Sequence, residues 1–422
     1  MGFRVVQWAT GGVGVAAIKG VLEHPDLELA GCWVHSPDKA GKDVGELIGA
    51  EPLGVTATDS IDDILALDAD AVVYAPLLPN PDEVAALLRS GKNVVTPVGW
   101  VYPSERQSAP LLAAALEGNA TLHGTGIAPG GISEKFPLMF SIMSTGVTFV
   151  RAEEFSDLRT YEAPDVVRHV MGFGEVPDKA LSGPMQKLLD GGFIQAVKMC
   201  VDKMGFRAEP KVRSTQEIAV ATAPIPSPIG EIEPGQVAGR RFHWEALVDG
   251  EPVVRITVNW LMGEDNLDPA WTFGPEGQRY EIEVRGNPDI TVSIKGFQSE
   301  VGGQGPEYGV VGTAAHCVNS IPAVCAAAPG IATYLDLPLI SGKAPATRQR
   351  APGNATYDWA VSNPDRRGHC GHRVDRQPQK LNALRGSRAP RTGRSGGQRA
   401  RRSSHRADCP RLRERRDLRP FR

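Results

Sequence analysis

No apolar run in the sequence is long enough to span a bilayer. The longest, such as Ala109 to Leu116, fall far short of the roughly 20 residues a spanning helix requires. No Cys-x-x-Cys pair occurs among the six cysteines at 32, 200, 317, 325, 370 and 409, and the first 345 residues hold no Cys/His cluster with zinc spacing. No metal site is therefore expected, and the thiols read as reduced core residues. Met1 is followed almost at once by a β-prone segment, which leaves no room for a signal or transit peptide. The expectation is a cytoplasmic protein with no membrane partner. No internal repeat is visible.

Lysine is nearly absent from residues 346–422, which hold 20 Arg, one Lys and six acidic residues, net +15, so the other 345 residues carry −18. This stretch is rich in Arg, Ser, Pro and Gly and has no apolar period, so it cannot bury enough surface to offset its ordering entropy and is expected to be disordered. A basic arm could neutralise nucleic-acid phosphates. An Arg-to-Lys ratio of 20 to 1 without interleaved aromatics favours a second reading, a GC-rich gene translated out of frame, so no specific nucleic-acid partner is expected. Cys370, with His369 and His372 beside it, lies inside this stretch.

What is present is an ordinary globular composition. The 422 residues are 41% hydrophobic and 23% charged, enough for two domains with their own cores. The chain opens with Phe3-Arg4-Val5-Val6-Gln7-Trp8, then Ala9-Thr10-Gly11-Gly12-Val13-Gly14, then an apolar run to Leu22. This reads as strand, glycine turn, helix. A helix N-terminus offers unpaired N–H groups and the positive end of its dipole, and bare glycines let a pyrophosphate approach. Ala9 stands where the usual Gly-x-Gly-x-x-Gly fingerprint has its first glycine.

The spacing then predicts alternating strands and helices: strands over 27–34, 69–74, 92–96 and 120–123, and helices over 59–67, 81–90 and 104–117. That alternation predicts an α/β fold with an N-terminal doubly wound parallel sheet of the Rossmann type over 1–130. Ligands in such sheets bind beyond the strand C-termini. The expected cofactor-binding residues are Thr10, Gly11, Gly12, Val13 and Gly14, with Ser36 and Lys39 at the second strand tip. Ala75, Pro76, Thr96, Gly124 and Gly126 join them at later tips. At the position where an acid would meet a ribose diol, the tip offers His35 and Ser36, with Lys39 and Lys42 beyond and Asp38 as the nearby acid. A hydroxyl and cations suit a 2′-phosphate, so NADP(H) is favoured over NAD(H).

From about 131 the pattern changes. A helix is expected over 133–144, and alternating strands over 147–155, 218–222, 240–248, 253–261, 279–285 and 290–294. These predict a mixed α+β substrate and dimerisation domain over 131–305, mostly antiparallel. An apolar helix over 310–328 and a segment over 331–340, together 306–345, are expected to return to the first domain.

Four stretches carry a family resemblance: Gln7 to Gly14; Asp38 to Gly49; His123 to Gly130; and Tyr161 to Gly174, with its Tyr-x-x-Pro and Met171-Gly172-Phe173-Gly174. On these the chain resembles the dihydrodipicolinate reductase-like NAD(P)H oxidoreductases, in the branch of amine dehydrogenases of the 2,4-diaminopentanoate dehydrogenase type. The resemblance covers residues 1 to about 345. It implies hydride transfer to or from a small imine, amine or carbonyl substrate, and a homodimer formed through the second sheet. Two features depart from the family. The reductase runs that hold a dicarboxylate are absent, and the branch's carboxylate just before Tyr102-Pro103 is replaced within Pro97-Val98-Gly99-Trp100-Val101. Ala128 also replaces the family's Asn. The candidate proton donors are Tyr161, His169 and Glu134, with Tyr161 favoured because a phenol can donate without carrying a charge at neutral pH. An NAD(P)-binding sensor or partner protein without turnover is the competing reading, supported by the missing carboxylate.

Overall fold

The computed structural model describes residues 2–161, 163–297 and 308–344. The basic stretch over 346–422, with Cys370 and Cys409, lies outside the described residues.

Short-range signals set the first half of the chain. β1 (Phe3–Trp8) leads into α1 (Gly12–Glu23), then β2 (Leu27–Trp33), α2 (Val44–Leu47), β3 (Ala57–Thr58), α3 (Ile61–Ala66) and β4 (Ala71–Tyr74). α4 (Pro81–Arg89), β5 (Asn93–Thr96), α5 (Glu105–Glu117) and β6 (Thr121–Gly124) follow. The helix starts carry their own chemistry. Ser60 accepts from Asp63 N–H, Asn80 accepts from Asp82 N–H ahead of Pro81, and Ser104 forms a capping box with Gln107. The sheet order is β16-β6-β5-β4-β1-β2-β3, all parallel, where β16 is Gly330–Ile331 near the end of the described chain. Strand order reverses between β1 and β4. A crevice opens there, at the carboxyl ends of the strands.

After β6 the backbone turns through Ile127–Lys135 into α6 (Phe136–Ser141). The single helix expected over 133–144 is thus replaced by a wide helical turn and a short α-helix. Pro129 and Gly130 (φ 138°) interrupt the regular turn before it starts.

The second sheet is built from β7 (Thr145–Asp157), β8 (Arg213–Ala221), β11 (Val237–Val248), β12 (Glu251–Leu261), β13 (Leu267–Asp268), β14 (Arg279–Asn287) and β15 (Ile290–Ile294), in the order β13-β8-β11-β12-β7-β14-β15. A two-stranded hairpin, β9 (Ile225–Ser227) with β10 (Gly230–Ile232), stands apart. All pairs of the large sheet are antiparallel except β12 with β7. One face packs on α8 (Met185–Met204), which follows the short α7 (Pro177–Leu181). Phe193 stacks on Trp244 at 4.3 Å, and Trp244 Nε1–H donates to Asp190 Oδ1 at 2.7 Å.

The sequence reading missed α8. Its apolar residues do recur at helical spacing (Leu189, Phe193, Ala196, Val197, Cys200), but Gly191 and Gly192 break the propensity. The structure explains Gly192, because a Cβ there would lie 2.5 Å from Pro129 Cγ. α9 (Tyr308–Cys325) then packs against α1 and leads to β16.

Candidate active site

The glycine turn is shaped by contacts that only glycine allows. Ala9 takes φ 71°, and a Cβ on Gly14 would stand 2.1 Å from the Ala9 carbonyl oxygen. Gly14 therefore lets α1 sit directly against the end of β1. Gly11 differs: a Cβ there would meet nothing within 4 Å. The turn is closed toward the sheet and open toward the crevice. α1 has no side-chain cap and no acidic residue in its first turn, so its dipole is left to favour an anion.

A cavity of about 1410 Å³ starts at this turn. Thr10, Gly11, Gly12 and Val13 line it, as do Ser36 and Lys39 from the β2 tip and Ala75 and Pro76 from the β4 tip. Lys39 Nζ donates to Thr10 Oγ1 at 3.1 Å, which ties the β2 tip to the turn. His35 also lines the cavity, whereas Asp38 is exposed and does not. Tyr161, Ala163 and Val166 of the second domain close one wall, and Val310 and Ala315 of α9 another.

Other residues expected at the site lie behind the cavity wall. Gly14 is buried under the turn. Thr96 is fully buried, with its carbonyl accepting Thr125 N–H at 2.8 Å and its hydroxyl accepting Val98 N–H at 3.2 Å. At Gly124 a Cβ would meet the Gly99 carbonyl oxygen at 2.2 Å, so the tips of β5 and β6 approach as closely as backbones can. Gly126 (φ 157°) begins the turn after β6.

The three proton-donor candidates are not brought together. Tyr161 lines the cavity. Glu134 is fully buried and accepts Gly130 N–H at Oε2, 2.9 Å away; burial pushes its carboxyl up to about 8, against the opposing pull of the Gly130 and Ser133 hydrogen bonds. Glu134 thus holds the loop after β6 and does not face the cavity. His169 is exposed, outside the cavity lining. Its segment is held from the other side by Arg240, buried without a carboxylate partner among the described residues. The Arg240 guanidinium donates to the Met171 carbonyl at 2.5 Å and to Gln216 Oε1.

Where the resemblance implies a carboxylate, Trp100 and Val101 are buried, and Tyr102 N–H donates to Gln195 Oε1 at 2.9 Å. Sequence reasoning also missed Lys19, His24, Asn319 and Lys343, all of which line the cavity. His24 is adjacent to α1, but Asn319 and Lys343 come from about 300 residues away and carry no local signal.

Residues 134–351 match the family model of the 2,4-diaminopentanoate dehydrogenase C-terminal domain. The chain is 32% identical to an amine dehydrogenase of Streptomyces virginiae over 355 residues, 79% of this chain and 96% of that one. The chain belongs to the amine dehydrogenase and 2,4-diaminopentanoate dehydrogenase family. It is accordingly an NAD(P)-dependent oxidoreductase with a nicotinamide cofactor and a small-molecule substrate. A 2,4-diaminopentanoate dehydrogenase of Acetoanaerobium sticklandii is 25% identical over 331 residues, 76% of this chain and 86% of that one. The solved structure of an amine dehydrogenase from Mycobacterium smegmatis is 21% identical, with a TM-score of 0.66 over 81% of this chain and 97% of that one, and so shares the family's fold. No helix among the described residues is long and apolar enough to cross a membrane.

Proposed function

We propose that the protein transfers hydride between NADP(H) and a small amine/imine or carbonyl substrate, with amines the class its relatives are named for. The observation that carries this reading is the continuity of the cavity from the glycine turn and the Ser36/Lys39 tip to Tyr161 of the second domain. The turn fits a dinucleotide: it is bare at Gly11, positive at the start of α1, and flanked by a lysine and a hydroxyl that suit a 2′-phosphate. Thr10 to Val13 would hold the diphosphate, and Ala75 and Pro76 would line the path toward the nicotinamide. Thr96, Gly124 and Gly126 would shape the strand tips behind it.

The cofactor supplies the hydride chemistry. The chain's own share is to orient the reactants, exclude water and move one proton. Tyr161 is the proposed proton donor because, of the three candidates, it is the one that lines the cavity. In this division of labour residues 1–130 bind the dinucleotide, 131–305 close over the substrate, 306–345 tie the two, and 346–422 take no part.

The homodimer that the family resemblance implies would use the face of the second sheet opposite α8, whose charged side chains pair within the chain. There Arg151 bonds Glu281 at 2.7 Å and Glu283 at 3.0 Å, with side chains only 16–20% exposed. Arg213 and Arg255 both bond Glu245. Sedimentation at micromolar concentration tests it: a single monomeric species argues against the dimer.

The deciding experiment follows NADPH oxidation against a panel of ketones, with and without ammonia. Ammonia-dependent turnover supports amine chemistry, and ammonia-independent turnover supports carbonyl reduction. No turnover with any ketone, under conditions where NADPH binds, contradicts the enzymatic reading.

A further inference from the structure

The cavity wall does not account for a polar cluster at the tip of β6. The Tyr334 hydroxyl meets Thr125 Oγ1 and lies 3.3 Å from His316 Nδ1, and a Cβ on Gly130 would stand 3.7 Å from the same oxygen. These groups come from three places in the fold: the end of β6, α9, and the segment after β16. The ring is held as well as the hydroxyl. Lys135 Nζ lies 4.7 Å above its centroid, and His123 meets its edge at 5.2 Å. His123 is itself fixed, because the Ala332 carbonyl 2.8 Å from Nδ1 can only accept, so that nitrogen carries the proton. Burial holds both His123 and His316 down to about 4, so both are neutral at physiological pH and the cluster stays intact.

The loop Gly126–Gly131 is therefore gripped at both ends. Gly130 N–H donates to Glu134 Oε2 and to Ser133 Oγ on one side, and Tyr334 meets Thr125, the residue before Gly126, on the other. Between them the Gly131 amide bonds the Gly126 carbonyl at 2.8 Å. A half-buried hydroxyl bonded to the side chain that opens a glycine-rich loop, where aliphatic packing would do for a core, marks that loop as a surface whose position matters.

We propose that Tyr334 is a positioning residue: with Thr125 and His316 it pins the loop Gly126–Gly131 at the tip of β6, and so sets the geometry in which the nicotinamide and substrate meet. This rests on the reading that the strand tips hold the nicotinamide end of the cofactor. The segment after β16 thereby contributes to turnover without touching the reacting atoms.

Tyr334→Phe keeps the ring, its lysine and its histidine contact, and removes the hydroxyl alone. We expect kcat to fall about 10- to 100-fold, as for a sub-ångström misplacement of reactants, with NADPH affinity unchanged. Amide exchange over 124–131 should quicken roughly tenfold while the rest of the sheet keeps its protection. Thr125→Val should reproduce both effects and Thr125→Ser should restore them, and the Tyr334→Phe/Thr125→Val pair should lose little more than either alone. Unchanged kcat, or unchanged exchange over 124–131, in Tyr334→Phe would overturn the proposal, as would exchange that quickens across the whole sheet. If the wild-type protein turns over no substrate, the functional reading fails and the exchange pattern alone decides whether Tyr334 pins the loop.

Discussion

Lys39 Nζ lies 3.1 Å from the Thr10 hydroxyl, joining the tip of β2 to the glycine turn across 29 residues. A 2′-phosphate at that tip would recruit the ammonium, already half in place, together with the Ser36 hydroxyl. Losing one charge-assisted contact costs on the order of 1.5–3 kcal/mol. Ser36→Ala/Lys39→Ala is therefore expected to weaken NADPH binding by about 10- to 100-fold and leave NADH binding nearly unchanged. Fluorescence titration with both cofactors checks this, and equal losses would show that these residues do not read the phosphate.

Gly11 and Gly14 separate binding from folding. Gly11 opens onto the crevice, so Gly11→Asp should fold with little change in melting temperature and lose NADPH binding, because an anion then stands where we place the diphosphate. Gly14→Ala places a methyl group 2.1 Å from the Ala9 carbonyl oxygen. That variant should lose stability, by about 1–3 kcal/mol as for other overpacked sites, along with binding. Thermal melts beside titrations distinguish the two, and a Gly11→Asp variant that still binds NADPH would contradict the placement of the diphosphate.

Glu134 gives a pH signature. Its folded pKa, raised by burial to about 8 from 4.5, means that the folded chain holds a proton the unfolded chain releases. Its contribution is present below pH 4.5 and is lost as pH rises through 8. The neighbouring ionisable groups are Lys135, Cys200 and Tyr334; burial raises the thiol and the phenol and lowers the ammonium. Glu134→Gln keeps an acceptor for Gly130 N–H and removes the charge. Its melting temperature relative to wild type should rise steadily from pH 5 to pH 9. A difference independent of pH would mean that Glu134 does not titrate in this window.

Tyr161 and His169 predict opposite outcomes. If Tyr161, which lines the cavity, is the proton donor as proposed, Tyr161→Phe should lower kcat by about 10²-fold or more with NADPH affinity retained. His169→Ala, at an exposed position away from the cavity, should change neither. Steady-state kinetics on both variants test the assignment, and a large loss in His169→Ala would reverse it.

Local chemistry made much of the first domain legible. Its strands end in glycines, prolines and capping residues a few positions apart, and its short connections leave few alternative pairings. α8 was not legible because Gly191 and Gly192 interrupt a helix that tertiary packing against Pro129 requires to be thin. The parallel pairing of β12 with β7 was hidden for a similar reason, since strands about 100 residues apart in sequence carry no signal of direction.

The sequence by itself determined the strand, the glycine turn and the helix start at which we place the dinucleotide, because these are properties of neighbouring residues. Only the tertiary structure decided which residues share the site. It set Tyr161 in the cavity wall and left His169 outside. It withdrew Glu134 into the core, and it brought Tyr334 to Thr125 across 209 residues. Helix and turn propensities act over a few residues, whereas a shared cavity depends on the packing of two sheets, and no single segment encodes that.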